Sequence, residues 1–131
     1  MSGEETRPLR SSEDIVIVRQ LVRALASRLG FGLVDQTKIV TAASELARNT
    51  VDYGGGGTVR LEPLDGKRVG LRLTFEDKGP GIEDIALAMK DGFTSGGGLG
   101  LGLGGARRLS NEFEIVSRPG EGTRVSITRW R

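Results

Sequence analysis

The stretch Gly96-Gly-Gly-Leu-Gly-Leu-Gly-Leu-Gly-Gly105 is the most unusual part of this 131-residue chain, which contains 21 glycines. It leads into Ala106-Arg-Arg-Leu109, which we expect to be helical. Exposed backbone amides and the N-terminus of a helix together favour a bound anion, although a plain surface loop is also commonly rich in glycine. Leu99, Leu101 and Leu103 argue against a simple linker, since flexible linkers seldom carry regularly spaced leucines. The stretch therefore predicts a binding loop, provided that the rest of the chain builds a pocket beneath it.

Composition predicts one soluble domain and restricts the chemistry. Apolar residues make up 37% of the chain and charged residues 27%, as in an ordinary globular protein, and no apolar run approaches the roughly 20 residues of a membrane helix. With no cysteine and no histidine, disulfides and thiolate metal sites are excluded, and acid–base chemistry would use Asp, Glu, Lys or Tyr. The formal charge is only +2, and 5% aromatic residues offer few stacking platforms, so neither nucleic acid nor a membrane is indicated as a partner. We expect a cytoplasmic protein.

The hydrophobic pattern predicts an α+β domain over residues 12–131, preceded by a polar, disordered tail over residues 1–11. Apolar residues at helical spacing follow Asp14-Ile-Val-Ile-Val18, which reads as a strand, and a second helix runs to Tyr53 with Asp35 as its N-cap. The remaining predicted elements are strands over residues 58–64, 68–76, 112–117 and 123–128, a short helix over residues 82–90, and the helix that ends at Leu109. Because the strands are apolar on one side only, we expect a two-layer sandwich, in which a mainly antiparallel mixed sheet carries helices on one face.

Two polar residues of the second predicted helix stand next to its buried stripe. Glu45 and Asn49 are separated by four residues and are therefore neighbours on the helix surface. Glu45 and Asn49 could simply lie on a solvent-exposed flank of this helix. They could instead project a carboxylate and an amide into a cleft, where such groups hold a hard cation through oxygen and activate a hydroxyl.

Alternation along two strands places a carboxyl and a hydroxyl on the inner face of the sheet. Asp77 shares the parity of Leu73 and Phe75, and a buried carboxylate needs a partner. It could simply start the turn that follows, or it could accept a hydrogen bond from the amine of a purine, with Gly79 and Gly81 allowing the backbone close to the ring. Thr123 shares the parity of the inward residues of the last strand, and could be ordinary core or could steady the same ligand directly or through water.

Taken in order, these motifs resemble those of the Bergerat-fold ATP-binding family, which includes gyrase, heat-shock, histidine-kinase and mismatch-repair ATPases. The matching segments are Ser44-Glu-Leu-Ala-Arg-Asn49, Asp77-Lys-Gly-Pro-Gly-Ile82, Gly98-Leu-Gly-Leu-Gly102 and the terminal Gly122-Thr123. Within that family the chain looks most like the small bacterial serine/threonine protein kinases of partner-switching systems, including the switch kinases of the stressosome. One departure is Tyr53, because related anti-sigma kinases often have a histidine in that turn.

The resemblance implies a role for each matching residue. Asn49 would coordinate Mg²⁺ on the phosphates of ATP, Glu45 would be the general base, and Asp77 would bind the adenine amine near Thr123. Gly79 and Gly81 would line the base pocket. The lid over the phosphates would be formed by Thr94, Ser95, Gly96, Gly97, Gly98, Leu99, Gly100, Leu101 and Gly102, within a segment that reaches Gly105 and that we expect to be mobile when empty and ordered with ATP. Arg48 and Lys78 are candidates for a positive group at the γ-phosphate.

The resemblance also implies partners and leaves alternatives open. The substrate would be a serine or threonine of a STAS-domain protein in a stressosome-like complex, and the kinase would then activate a downstream phosphatase. The alternatives are an anti-sigma factor of the same fold, a detached catalytic domain of a histidine kinase, and a nucleotide sensor without enzymatic activity. The histidine kinase is disfavoured because the chain has no histidine, and the sensor because both Glu45 and Asn49 are present.

Overall fold

A computed structural model describes residues 4–89 and 102–131 of the chain. A five-stranded sheet forms one layer, and the helices pack on one of its faces. The elements, in chain order, are β1 (Glu5–Leu9), α1 (Ser12–Arg28), α2 (Leu33–Arg48), a π-helical turn (Asn49–Tyr53), β2 (Gly57–Asp65), β3 (Val69–Asp77), α3 (Ile85–Ala88), α4 (Gly102–Arg108), β4 (Glu112–Ser117) and β5 (Thr123–Trp130). The predicted α+β class is confirmed.

The sheet has the strand order β1-β2-β3-β5-β4, and all four pairings are antiparallel. In this register Asp77 lies opposite Gly57 on one side and opposite Thr123 on the other. The last residue of β3 is therefore placed next to the first residue of β5, at the end of the sheet where the chain leaves β3. This juxtaposition positions the candidate site.

The core lies between the sheet and the helices. Alternate residues of β2 and β3 are almost completely buried, as the alternating pattern predicts, and they pack against the apolar sides of α1 and α2: Val59, Leu61, Leu71, Leu73 and Phe75. The opposite face of the sheet carries mostly polar and charged side chains, with Val116 as an exposed hydrophobic residue among them. No helix within residues 4–89 and 102–131 has the length and apolar character needed to cross a bilayer.

The segment Asp14–Val18 is helical, and its prediction as a strand is wrong. Ile15 and Val18 are buried together with Val22, whereas Val16 is 48% exposed, so the apolar spacing that matters is three to four residues and not two. The carboxyl group of Asp14 accepts hydrogen bonds from the backbone amide and the guanidinium of Arg10. These bonds hold the first turn of α1, which overrides the strand preference of a β-branched run.

The predicted disordered tail is also wrong for Glu5–Leu9, which forms β1 and pairs with β2. The strand is anchored by Leu9, whose side chain is fully buried, and it lies at the edge of the sheet, where the missing amide of Pro8 is tolerated. β1 begins at Glu5, which lies opposite Leu61, so that Pro63 of β2 has no outer strand beside it in the described part of the chain.

Two helix boundaries also differ from the predictions. The N-cap of α2 is Gly32, and Asp35 lies inside the first turn, where its carboxylate accepts a hydrogen bond from Arg129 at 2.8 Å. The helix predicted over residues 82–90 is shorter, because Asp84 caps α3 through its side chain, which accepts a hydrogen bond from the amide of Leu87. The last hairpin, β4 and β5, follows its prediction closely.

Candidate nucleotide site

A cavity of about 550 Å³ opens between α2, the end of the sheet, α3 and the first turn of α4. It is lined by Leu46, Asn49, Thr50, Tyr53, Phe75, Asp77, Ile82, Glu83, Asp84, Leu87, Ala88, Leu103, Thr123 and Val125. Three of the residues singled out in the sequence, Asn49, Asp77 and Thr123, are thus brought together from positions far apart in the chain. Most of the other lining residues are apolar, which is typical of sites that bind small molecules.

The π-helical turn places three residues on the wall of the cavity. Asn49, Thr50 and Tyr53 all lie in this turn, where the amide of Gly54 donates to the carbonyl of Asn49 at 3.0 Å. The hydroxyl of Thr50 donates to the carbonyl of Leu46 at 2.9 Å. π-Helical turns are rare and occur often at functional sites. Here the π-helical turn, which is wider than a turn of α-helix, follows α2 and lies at the cavity wall.

Glu45 lies one helical turn before Asn49 but is not part of the cavity wall. Its side chain belongs to the buried residues of α2 and is 3% exposed. It makes a polar or electrostatic interaction and is therefore not isolated. The structure thus places Glu45, the predicted base, next to the lining residue Leu46 in the chain, but its side chain is buried.

Asp77 presents a carboxyl group at the end of β3. One of its oxygens, Oδ1, accepts a hydrogen bond from the amide of Gly79 at 2.9 Å. Burial raises the pKa of this carboxyl group, whereas hydrogen bonds from the backbone amides of Gly79 and Thr123 oppose the shift. The carboxylate therefore keeps acceptor capacity for a donor in the cavity.

Gly79 and Gly81, which were predicted to line the base pocket, are not among the residues that line the cavity. A side chain at position 79 would approach the Cα and carbonyl oxygen of Gly54 to 2.7 Å, which is far inside van der Waals contact. Gly81 has a φ of +76°, and a side chain there would collide with the carbonyl of Arg118. Both glycines therefore allow backbone segments to pack behind Asp77, and they shape the wall indirectly.

Of the predicted lid, only its last residue, Gly102, lies within the described residues. Thr94, Ser95, Gly96, Gly97, Gly98, Leu99, Gly100 and Leu101 lie outside the described residues. Gly102 is buried, with a φ of +56°, and begins α4. Its neighbour Leu103 lines the cavity, so that the glycine-rich stretch reaches the site at least at this end.

Neither predicted cation is part of the described cavity wall. Arg48 directly precedes Asn49, and its Nε atom is buried with no hydrogen-bond partner in the described structure. Lys78 follows Asp77 in the turn, and neither side chain contributes to the lining. The structure therefore does not select one of them as the positive group.

Several lining residues were missed because the sequence presents them as ordinary core. Leu46, Thr50, Phe75 and Val125 follow the buried stripe of α2 or the inward parity of a strand, which does not distinguish a filled interior from a cavity. Ile82, Glu83 and Asp84 belong to the loop that leads into α3, and Leu87 and Ala88 belong to α3 itself. Their only sequence signal is that they follow the Asp-x-Gly-x-Gly segment.

The oxygen ligand that the protein offers in the cavity suits a magnesium ion that takes most of its ligands from water and from a bound phosphate. Over residues 4–89 and 102–131, no three His, Cys, Asp or Glu side chains converge as a metal site. The amide oxygen of Asn49 is a hard ligand, and Mg²⁺ is usually bound by one or two protein oxygens together with water and phosphate. The residues present therefore fit a metal that enters with a phosphate ligand.

Comparison with known protein families gives a match over most of the chain. Residues 34–130 match the model of the histidine kinase-, DNA gyrase B- and HSP90-like ATPases. This range begins at α2 and includes every element that contributes to the cavity. It covers well over half of the 131 residues.

Individual relatives extend the match to the whole chain. The chain is 51% identical to the serine/threonine-protein kinase RsbT of Bacillus subtilis (strain 168), covering 99% of this chain and 98% of that protein. It is 31% identical to an anti-sigma F factor of Thermoanaerobacter sp. (strain X514), covering 93% and 89% of the two chains. Both relatives are thus similar along almost their full lengths.

Solved structures share the fold at lower identity. The full-length structure of ShkA in complex with AMPPNP has a TM-score of 0.58 at 21% identity, covering 88% of this chain and 28% of that one. The mycobacterial sensor histidine kinase MprB has a TM-score of 0.56 at 16% identity, covering 98% and 97%. From the family match, the close relative and the shared fold together, we conclude that the chain belongs to the family of histidine kinase-, DNA gyrase B- and HSP90-like ATPases.

Proposed function

We propose that the chain is an ATP- and Mg²⁺-dependent protein serine/threonine kinase. One observation carries the proposal: Asn49, Asp77 and Thr123 line a single cavity of about 550 Å³, which is within the usual range for small-ligand sites. The 51% identity to a protein named as a serine/threonine-protein kinase supports the same activity.

The sheet end of the cavity suits the base of ATP. The Asp77 carboxylate accepts the amide of Gly79 through Oδ1 and has lone pairs left for the exocyclic amine of adenine. An ionised carboxylate has no hydrogen to donate, so it repels the 6-oxo group of guanine or hypoxanthine. Asp77 thereby binds and orients the base.

The helix end of the cavity suits the phosphates. The side-chain oxygen of Asn49 would hold Mg²⁺, which would neutralise phosphate charge when bound. Phosphoryl transfer depends mainly on alignment and charge compensation, and the π-helical turn at the end of α2 holds Asn49 on the cavity wall. The chain's own contribution at this end is therefore the position of Asn49.

Glu45 is the proposed general base for the substrate hydroxyl. It lies one helical turn before Asn49 and so faces the same side of α2, where it would accept the proton as the hydroxyl oxygen attacks. Because Glu45 is only 3% exposed, we expect docking of the protein substrate to uncover it. Transfer would then be slow with ATP and water alone.

The proposed substrate is a serine or threonine of a STAS-domain protein, and the released kinase would activate a downstream phosphatase. These partners rest on the resemblance to partner-switching kinases. The second candidate, an anti-sigma factor, is favoured by the 31% identity to proteins of that name. The two functions differ in the partner that is bound.

The deciding experiment incubates the purified chain with γ-labelled ATP, Mg²⁺ and a candidate STAS-domain protein. We expect label on a serine or threonine of that protein, and none with EDTA or with the Asn49→Ala variant. Parallel titration with sigma factors tests the second candidate. Tight sigma binding without any phosphoryl transfer would replace the kinase by an anti-sigma factor.

A further inference from the structure

The hydroxyl group of Ser117 stands at a junction behind the cavity wall. Its oxygen lies 2.8 Å from the amide nitrogen of Ile82, 3.0 Å from the carbonyl oxygen of Gly122 and 2.7 Å from the hydroxyl oxygen of Thr123. Ser117 is the last residue of β4 and does not line the cavity, whereas Ile82 and Thr123 do. Any effect of Ser117 on a ligand must therefore pass through these two neighbours.

The three contacts fix the direction of each hydrogen bond. A serine hydroxyl has one hydrogen and two lone pairs. The amide of Ile82 can only donate, and the carbonyl of Gly122 can only accept, so Ser117 donates its hydrogen to Gly122. Its second lone pair then accepts the hydrogen of Thr123. In the reverse arrangement, the oxygens of Ser117 and Gly122 would face each other at 3.0 Å with no hydrogen between them.

The hydroxyl hydrogen of Thr123 is thereby committed to Ser117 and is withheld from the cavity. Towards a ligand, Thr123 offers only lone pairs, and it lies directly opposite Asp77 in the sheet register. An ionised Asp77 is likewise an acceptor only. Among residues 4–89 and 102–131, the sheet end of the cavity thus presents two acceptors side by side and no hydroxyl donor, which matches an exocyclic amine with its two N–H groups.

We propose that Ser117 is a positioning residue for nucleobase selection. By holding Thr123 as an acceptor, Ser117 makes the cavity favour a 6-aminopurine nucleotide and reject a 6-oxopurine nucleotide. This inference rests on the proposed binding of ATP. It adds a residue outside the cavity that sets the selectivity of a residue inside it.

The test compares affinities for ATP and ITP, which differ at position 6 of the base, by calorimetry. In Ser117→Ala the hydrogen of Thr123 is free to turn into the cavity and donate to the 6-oxo group. The ratio of Kd for ITP to Kd for ATP should therefore fall by about threefold to tenfold, the effect of one hydrogen bond. The kcat at saturating ATP should stay unchanged, and Ser117→Thr, which keeps the hydroxyl, should restore the ratio.

The matched control is Ser126→Ala. Ser126 makes a similar hydroxyl–hydroxyl contact, 3.3 Å to Thr74, but on the face of the sheet that does not carry the helices. Its loss should leave the ITP/ATP ratio unchanged. An equal change in both variants would mean that loosening of the sheet, and not the direction of the Thr123 hydroxyl, sets the ratio, and would overturn the proposal.

A second variant decides the question if Ser117→Ala does not fold. Thr123→Val keeps the shape but removes the acceptor itself, so it must also lower the ITP/ATP ratio. An unchanged ratio in either folded variant overturns the role of Ser117. A wild-type chain with no affinity for ATP would instead overturn the proposed function, so the two failures are distinguishable.

Discussion

At the scale of single residues, Asp77 combines two opposing demands. Burial raises the pKa of its carboxyl group, while the amides of Gly79 and Thr123 favour the ionised form. Its folded-state pKa therefore lies above the value in the unfolded chain, so the ionisation of Asp77 lowers stability as pH rises through this interval. The proposed binding of adenine needs the ionised form, since only that form is purely an acceptor. The site thus keeps a charge that the empty fold disfavours.

The first prediction concerns the pH dependence of ATP affinity. As the pH falls through the raised pKa of Asp77, the protonated carboxyl group should lose its fit to the adenine amine. Affinity should then fall by up to about tenfold for each further pH unit. The measurement is calorimetric titration with ATP and Mg²⁺ over a pH series.

Asp77→Asn provides the control for this series. It should lower ATP affinity by about 10- to 100-fold at neutral pH, the effect of losing a hydrogen bond to a charged group. It should also raise the melting temperature of the empty protein at neutral pH, because the disfavoured charge is gone. A variant with wild-type affinity, or with the same pH dependence as the wild type, would remove Asp77 from base recognition.

The second prediction separates binding from chemistry at Glu45. Glu45→Gln keeps the size and the buried position of the side chain, which is 3% exposed, but it removes the proton acceptor. ATP affinity should stay within about twofold, while phosphoryl transfer falls by about 10²–10⁴-fold. A calorimetric titration and a labelled-phosphate assay on the same preparation measure the two quantities. Full transfer activity in a correctly folded variant would exclude Glu45 as the base.

At the scale of elements, the end of α2 is held against the turn after β3 by contact between glycines. A side chain at Gly79 would come within 2.7 Å of Gly54, and Gly54 follows the π-helical turn that carries Asn49. The two ends of the cavity therefore share one backbone contact. Spacing along the chain places these glycines in turns but does not show that the turns touch.

The third prediction uses this contact. Gly79→Ala should push the Gly54 segment away, lower the free energy of unfolding by about 1–3 kcal/mol, and weaken ATP binding because Asn49 moves with it. Gly66→Ala is the matched control, since a side chain there meets no atom within 4 Å, and it should leave both quantities near their wild-type values. Urea denaturation and ATP titration measure the two effects. Equal stability of the two variants would show that the contact is not tight.

The elements that could be predicted from the sequence are those whose hydrophobic pattern can be recognised without knowing how the rest of the chain folds. The alternating apolar residues of β2, β3 and β5 fix which face is buried, so the inward parity of Asp77 and Thr123 followed directly. The start of α1 was missed because Ile15, Val16, Ile17 and Val18 have a strong strand preference. β1 was missed because its only buried residue, Leu9, gives no pattern at all.

At the scale of the whole molecule, the site depends on the order of the strands in the sheet, which no local sequence pattern predicts. The sequence brings Glu45 near Asn49 because both lie on one helix. It brings Asp77 near Thr123 only after β3 pairs with β5 and not with β4. The resemblance to a known family implied only that Asp77 and Thr123 lie near each other, without giving the strand order. The role of Ser117 could not be predicted, because it depends on three interatomic distances across separate segments.

The last prediction concerns the link between the sheet and the helical layer. The guanidinium of Arg129, on β5, donates from Nη2 to Asp35 in the first turn of α2, and from Nη1 to the carbonyl of Leu109 just after α4, both at 2.8 Å. Its side chain is 17% exposed, whereas that of Asp35 is 43% exposed. The rigid, forked arginine can reach both partners at once, and a lysine ammonium in its place would reach only one.

Arg129→Lys should therefore lower the free energy of unfolding by about 1–2 kcal/mol, because one partner loses its hydrogen bond to a charged group. Asp35→Asn should lower it by less than about 1 kcal/mol, since the pair is solvent-exposed on the Asp35 side and the contact to Leu109 remains. Neither Arg129 nor Asp35 lines the cavity, so ATP affinity should stay within about twofold in both variants. Urea denaturation with ATP titration on the folded protein tests this, and equal losses in the two variants would mean that the Leu109 contact contributes nothing.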